Sequence, residues 1–327
     1  MTVSSAPDFI EDLGHGVYAI DTGFHRPRFD AAFLIVQEGR AAFVDTGTNF
    51  SVERLLAALP VVGLGVQDVD YVVPTHVHLD HAGGVGLLMQ HLPGAQALVH
   101  GRGARHMIDP TALYMGATAV YGAQEMERSY GRLVPVAAER VTATSDGMTI
   151  DWRGRELRFI DTPGHARHHH CLWDSRSRGW FTGDTFGLSY REFDTAAGEW
   201  VIPTTTPVQF EPAPLKQSIA RLIEADPACM YLTHYSRVAQ PVVHARRLTR
   251  MVDGMVELGL GIADMAKEQR HVAYKNGLRR MLIDDLRAHG YPEQRIDDGT
   301  ADDWLGLDIE LNAQGLAIWV DKQGAAS

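Results

Sequence analysis

The run Thr75-His76-Val77-His78-Leu79-Asp80-His81 constrains this chain more than any other stretch, because four ligand-type side chains fall within six residues. An apolar strand-like segment, Val69 to Val73, precedes it and ends at Pro74. A helical pattern follows, with Val85, Leu88, Met89 and Leu92 on one face. Strand, histidine-rich loop and helix in that order place the cluster at the carboxyl end of a strand, where open α/β sheets form their sites. Imidazole and carboxylate donors suit zinc or another first-row metal. The alternation lets His76 and His78 point one way and Asp80 and His81 another, which suggests two metals.

Two metals need more ligands than one loop supplies, so other strand ends matter. His165 closes Phe159-Ile160-Asp161-Thr162-Pro163-Gly164-His165, Asp184 closes Trp180-Phe181-Thr182-Gly183-Asp184, and His234 closes Met230-Tyr231-Leu232-Thr233-His234. Each follows a β-like apolar run that would hold the side chain rigidly. His168, His169 and His170 crowd behind His165; they read as ordinary exposed or core histidines, with His169 or His170 opening the next strand. Tyr114, Tyr121, Tyr190 and Tyr235 read first as packing residues, and so do the methionines and aromatics of residues 103 to 130.

The rest of the pattern fits this placement. Val17 to Thr22, Ala31 to Gln37 and Ala41 to Asp45 form a meander with a hairpin at Glu38-Gly39-Arg40. Ala95 to His100 completes a βαβ-like unit. Residues 103 to 140 are helical in character, broken by Gly116, Gly122 and Gly131, and strands return from Val141 to Thr233. Past Pro241 two amphipathic helices are expected, then a tail strand over Leu316 to Val320.

With these motifs in hand, the sequence resembles the metallo-β-lactamase-fold hydrolase superfamily over about residues 10 to 240. Asp45-Thr46-Gly47, His76 to His81, Thr162-Pro163-Gly164-His165, Gly183-Asp184 and Thr233-His234 stand in the family's order. The resemblance implies an α/β fold, an αββα sandwich, as a metal-binding catalytic domain over residues 1–240, with a mostly α-helical extension over 241–327. It implies one metal on His76, His78 and His165, a second on Asp80, His81 and His234, and Asp184 as the bridge. Zinc is the first expectation for the two divalent ions, with iron or manganese open. A metal-bound hydroxide would then attack a carbonyl or phosphorus, with Asp80 or Asp184 sharing in proton transfer. Asp45 has two equally weighted roles: support beneath the ligand loop, as in the family, or a cap on the following helix.

Charge and cysteine usage narrow the function further. Against 41 acidic residues stand 30 basic ones, a net charge of −11, which disfavours a nucleic-acid partner. Cys171 and Cys229 form no CxxC, and the amino terminus has neither a basic start nor a long apolar stretch, so a cytoplasmic protein without membrane contact is expected. The expected activity is hydrolysis of a small-molecule ester, lactone or thioester, by a chain that can also self-associate. Its rivals are mononuclear iron redox or sulfur chemistry of the persulfide dioxygenase type, and a phosphodiesterase or nuclease. A silent binding module is disfavoured because all seven ligand positions are filled.

Overall fold

The computed structural model describes residues 7–206 and 209–324. The chain divides into two compact units. The first holds the described residues up to Asp161 together with His168–Gly183 and Ala228–Arg237. The second holds Thr162–Arg167, the described residues of Asp184–Pro227, and those from Val238 onward.

Two mixed sheets build the first unit. One runs in chain order through β1 (Ile10–Asp12), β2 (Val17–Asp21), β3 (Ala31–Gln37), β4 (Arg40–Val44), β5 (Val69–Val73), β6 (Gln96–His100) and β7 (Val141–Thr144). It is antiparallel as far as β4 and parallel from β4 to β7. The other comprises β8 (Thr149–Trp152), β9 (Arg155–Asp161), β10 (His170–Asp174), β11 (Gly179–Gly183), β12 (Cys229–Leu232) and β13 (Ser236–Val238), ordered β13-β12-β11-β10-β9-β8. Its β11 and β12 are parallel. The expected hairpin forms as a type I′ turn, with Glu38 and Gly39 both at positive φ (46° and 74°), and Arg153-Gly154 (56° and 77°) repeats it between β8 and β9.

Period-two alternation decides which side chains meet. Ala31, Phe33 and Ile35 of β3 face the second sheet, where Phe33 packs edge-on against Phe181 at 5.2 Å and Phe181 stacks on Tyr231 at 4.6 Å. Ala32 and Leu34 face the other way, into a core with Leu55 and Leu59 of the helix Val52–Val61 and with Val85, Leu88 and Met89 of the helix Val85–His91. The buried Arg155 guanidinium grips Asp174 with two bonds of 2.6 and 2.5 Å and also donates to the carbonyls of His15 and Val36. That pair joins β9 to β10 and satisfies charges that would be costly to bury alone.

His170 does open a strand and is a satisfied core histidine. Its Nδ1 lies 2.7 Å from Thr144 Oγ1 and its Nε2 2.9 Å from the Pro74 carbonyl. Burial, with His100 nearby, pushes its pKa down to about 3. An unfolded histidine takes up a proton near pH 6.5, so the stability from this residue is complete above that pH and is lost as pH falls toward 3. Between pH 7 and pH 5 we expect His170 to account for about 2 kcal/mol of lost unfolding free energy. Urea unfolding at the two pH values, compared with His170→Gln, measures it; equal pH slopes in both proteins would refute the assignment.

The second unit contains the helices Pro212–Ile223, Pro241–Ile262, Lys267–Ala288, Glu293–Asp297 and Thr300–Gly324. The two amphipathic helices past Pro241 are present, whereas the tail strand is not: Leu316 to Val320 lie inside the helix Thr300–Gly324. The run is rich in β-prone letters, but Ala301, Leu305, Ile309, Ala313, Leu316 and Val320 bury at spacings of three and four, and that longer period wins. Gly116 likewise breaks nothing; it lies inside Thr111–Tyr121, while Gly122 (φ 84°) ends that helix.

Candidate metal centre

Asp45 is where the first unit's site begins. It follows β4 with φ 55°, and its amide donates to the Val73 carbonyl at the end of β5. Its buried carboxylate then accepts from the Thr75 amide (2.7 Å), the Thr75 hydroxyl (3.0 Å) and the Thr233 hydroxyl (2.7 Å), and lies 2.8 Å from His81 Nδ1. Of its two possible roles, support is the one observed. The following short helix Asn49–Ser51 is capped instead by Thr48, which accepts from the Phe50 amide.

With Nδ1 held by a carboxylate, His81 keeps Nε2 as its lone-pair nitrogen, and that atom lies 3.9 Å from Asp80 Oδ2. His234 repeats the arrangement: Nδ1 faces the Phe29 carbonyl at 3.0 Å, and Nε2 lies 3.5 Å from the same Asp80 oxygen. Asp80, His81 and His234 thus offer three ligand atoms within 4.8 Å of one another. His76 and His78 meet as a pair, Nε2 to Nδ1 at 2.7 Å, with His169 stacked on the His76 ring at 4.7 Å.

The second unit carries His165 and Asp184. His165 Nδ1 faces the Thr204 carbonyl at 3.3 Å and Nε2 lies 3.2 Å from Asp184 Oδ2, the same pattern a third time. The glycines of both motifs are required. A Cβ on Gly164 would fall 2.3 Å from the Leu215 backbone, and one on Gly183 (φ 46°) would meet Thr75 Oγ1 at 2.5 Å and His169 Nε2 at 2.6 Å.

Among the weaker candidates, Tyr235 is buried in the core between the sheets and Tyr190 donates to Asp308 at 3.1 Å, both as packing residues. Tyr114 lies half-buried on the helix Thr111–Tyr121, where its backbone carbonyl accepts from the Thr118 hydroxyl at 2.7 Å. Tyr121 differs: its ring lies 5.6 Å from that of Tyr130, and although the residue is 42% exposed, crowding of the phenol together with Asp80 raises its pKa. Burial and Asp80 also raise Tyr130, which packs against Phe24 at 5.5 Å. His25, held 5.4 Å from Phe29, is pushed down by burial against an opposing pull from Asp80. Asp30 is raised to about 7 by burial, despite His234 and His81. His25 and Asp30 lie in the β2–β3 connection and Tyr130 ends the short helix Met126–Tyr130; they escape sequence reasoning because isolated residues of this kind carry no spacing signal.

This donor chemistry and topology agree with the comparisons. Residues 25–234 match the model of the Metallo-beta-lactamase superfamily, and the chain belongs to that family of hydrolases. The metallo-beta-lactamase fold-containing protein ST1585 of Sulfurisphaera tokodaii is 25% identical over 258 residues, covering 77% of this chain and 91% of its own. The crystal structure of ST1585 superposes with a TM-score of 0.60 at 27% identity, over 72% of this chain and 86% of that one. Hydroxyacylglutathione hydrolase of Aeromonas hydrophila is 29% identical over 47% of this chain and 45% of its own length. An atrochrysone carboxyl ACP thioesterase of Aspergillus fumigatus is 26% identical over 55% and 42%. The chain therefore spans less than half of each of these two enzymes.

Proposed function

We propose that this protein hydrolyses a small-molecule thioester, or a related ester or lactone, with a binuclear zinc centre. The observation that carries the reading is the repeated histidine geometry: His81, His234 and His165 each have Nδ1 against an acceptor and Nε2 turned toward a carboxylate. An acceptor on one ring nitrogen fixes the tautomer that ligates through the other. The family's motif order supports His76, His78 and His165 as one ligand set, Asp80, His81 and His234 as the other, and Asp184 between them. Bound divalent cations would lower the pKa of a shared water to roughly 7 and stabilise the oxyanion formed on the acyl carbon. Asp80 and Asp184 would offset the positive charge, and either would share in proton transfer. The thioester is preferred because two of the relatives are named for acyl-sulfur substrates. No helix among the described residues is long and apolar enough to cross a membrane; with two free cysteines, both buried, a cytoplasmic location fits.

Elemental analysis of protein purified without chelator, alongside a screen of thioester, ester, lactone, phosphodiester and β-lactam substrates, tests this. Two ions per chain and turnover of acyl substrates are expected. One ion that persists after saturation with zinc, manganese and iron would sink the binuclear claim, and if that ion were iron it would favour the sulfur-redox alternative.

A further inference from the structure

We propose that the outer face of the helix Pro241–Ile262 docks against a second copy of this chain, antiparallel and across a two-fold axis. The inner face of this helix is satisfied within its own unit, since His244, Leu248, Met251, Val252, Met255 and Gly259 are buried there. The opposite face presents Val243, Arg246, Arg250, Asp253, Glu257 and Leu260, at intervals of 3, 4, 3, 4 and 3 residues. That is the heptad spacing of a helix-pairing seam. Val243 and Leu260 are 49% and 53% exposed, large values for aliphatic side chains on an ordered helix.

The order of charges along this seam identifies the partner. When two such helices run antiparallel about the point between Met251 and Val252, Val243 meets Leu260 of the second copy, Arg246 meets Glu257, and Arg250 meets Asp253. Every position then faces an apolar or opposite-charge mate, and two-fold symmetry makes each pair twice. Parallel pairing would instead set Arg246 on Arg246 and Glu257 on Glu257. Within the chain, Arg250 also pairs with Asp285 and Asp253 with Lys216. Arg246 and Glu257 are exposed and have no side-chain partner among the described residues, so the outer pairs carry the selectivity. Arg246, Arg250, Asp253 and Glu257 of the seam also line an open groove of about 760 Å³, to which Ile219, Ile223 and Ala245 add apolar surface for the partner helix to cover.

Sedimentation of the full chain over a concentration series, at low and high salt, is the test. A monomer–dimer equilibrium that weakens with salt is expected. Arg246→Glu and Glu257→Arg should each raise the dissociation constant by roughly a hundredfold through like-charge contact, and the double exchange should bring it back to within about tenfold of the parent. That rescue separates the effect from misfolding. For register, Val243→Cys with Leu260→Cys should give a disulfide-linked dimer on mild oxidation. Either cysteine alone should not, because like positions then lie 17 residues, roughly 26 Å, apart along the pair. A folded monomer at every concentration would overturn the proposal and leave the groove to another partner. A dimer indifferent to both charge reversals would place the interface elsewhere and overturn it equally.

Discussion

Replacing Asp184 with alanine is expected to remove bound metal and hydrolysis together, with a loss of kcat/KM beyond the roughly 10–100-fold that follows loss of an outer hydrogen-bond partner of a ligand. As the proposed shared ligand, Asp184 would supply negative charge to both ions, and its Oδ2 lies 3.2 Å from His165 Nε2. Asp184→Asn keeps the shape but removes the charge, so it should fall between alanine and the parent. Elemental analysis, kcat/KM and a thermal melt on each variant provide the check. A variant that melts as the parent does, keeps its metal and turns over normally would remove Asp184 from the ligand set.

Asp45→Ala should be the most damaging single change to stability at the site. Four donors or ring atoms converge on this one buried carboxylate: the Thr75 amide and hydroxyl, the Thr233 hydroxyl and His81 Nδ1. Truncation strands them out of water, where removing one partner of a buried charged network costs about 3–5 kcal/mol. Asp45→Asn retains two acceptor lone pairs and should cost about 1–3 kcal/mol. Even where it folds, the amide cannot hold His81 as a carboxylate does, and metal affinity should drop by roughly 10–100-fold. Urea midpoints at unchanged m-value report the first effect and metal titration the second. Parent-like values in both measurements for the alanine variant would show that these bonds contribute nothing.

Much of this architecture is legible from the residues because the demands are local. A strand buried on both faces must be apolar, a type I′ hairpin needs residues at positive φ such as Glu38-Gly39, and ligand-type side chains crowded at a strand end stand out against that apolar background. What is illegible depends on contacts the chain makes later. Residues 316 to 320 look like a strand until the helix that begins at Thr300 buries Leu305, Ile309 and Leu316 in register. Asp45 could as well be a cap until β4 and β5 pair in parallel and set Thr75 beside it. His25 and Tyr130 carry no motif, and only the folded chain brings the β2–β3 connection and the helical turn Met126–Tyr130 into the field of Asp80.

The partners of Asp45 lie 30, 36 and 188 residues along the chain, at Thr75, His81 and Thr233. Synthesis proceeds from the amino terminus, so a ribosome-bound chain that displays the complete histidine loop still lacks the strand that delivers Thr233 and His234. Contacts of such long sequence separation form late, after the loop between them has closed. The Asp80–His81–His234 triad comes together only when β12 adds itself beside β11. Any ion that all three residues held would therefore be captured only after that strand had been made.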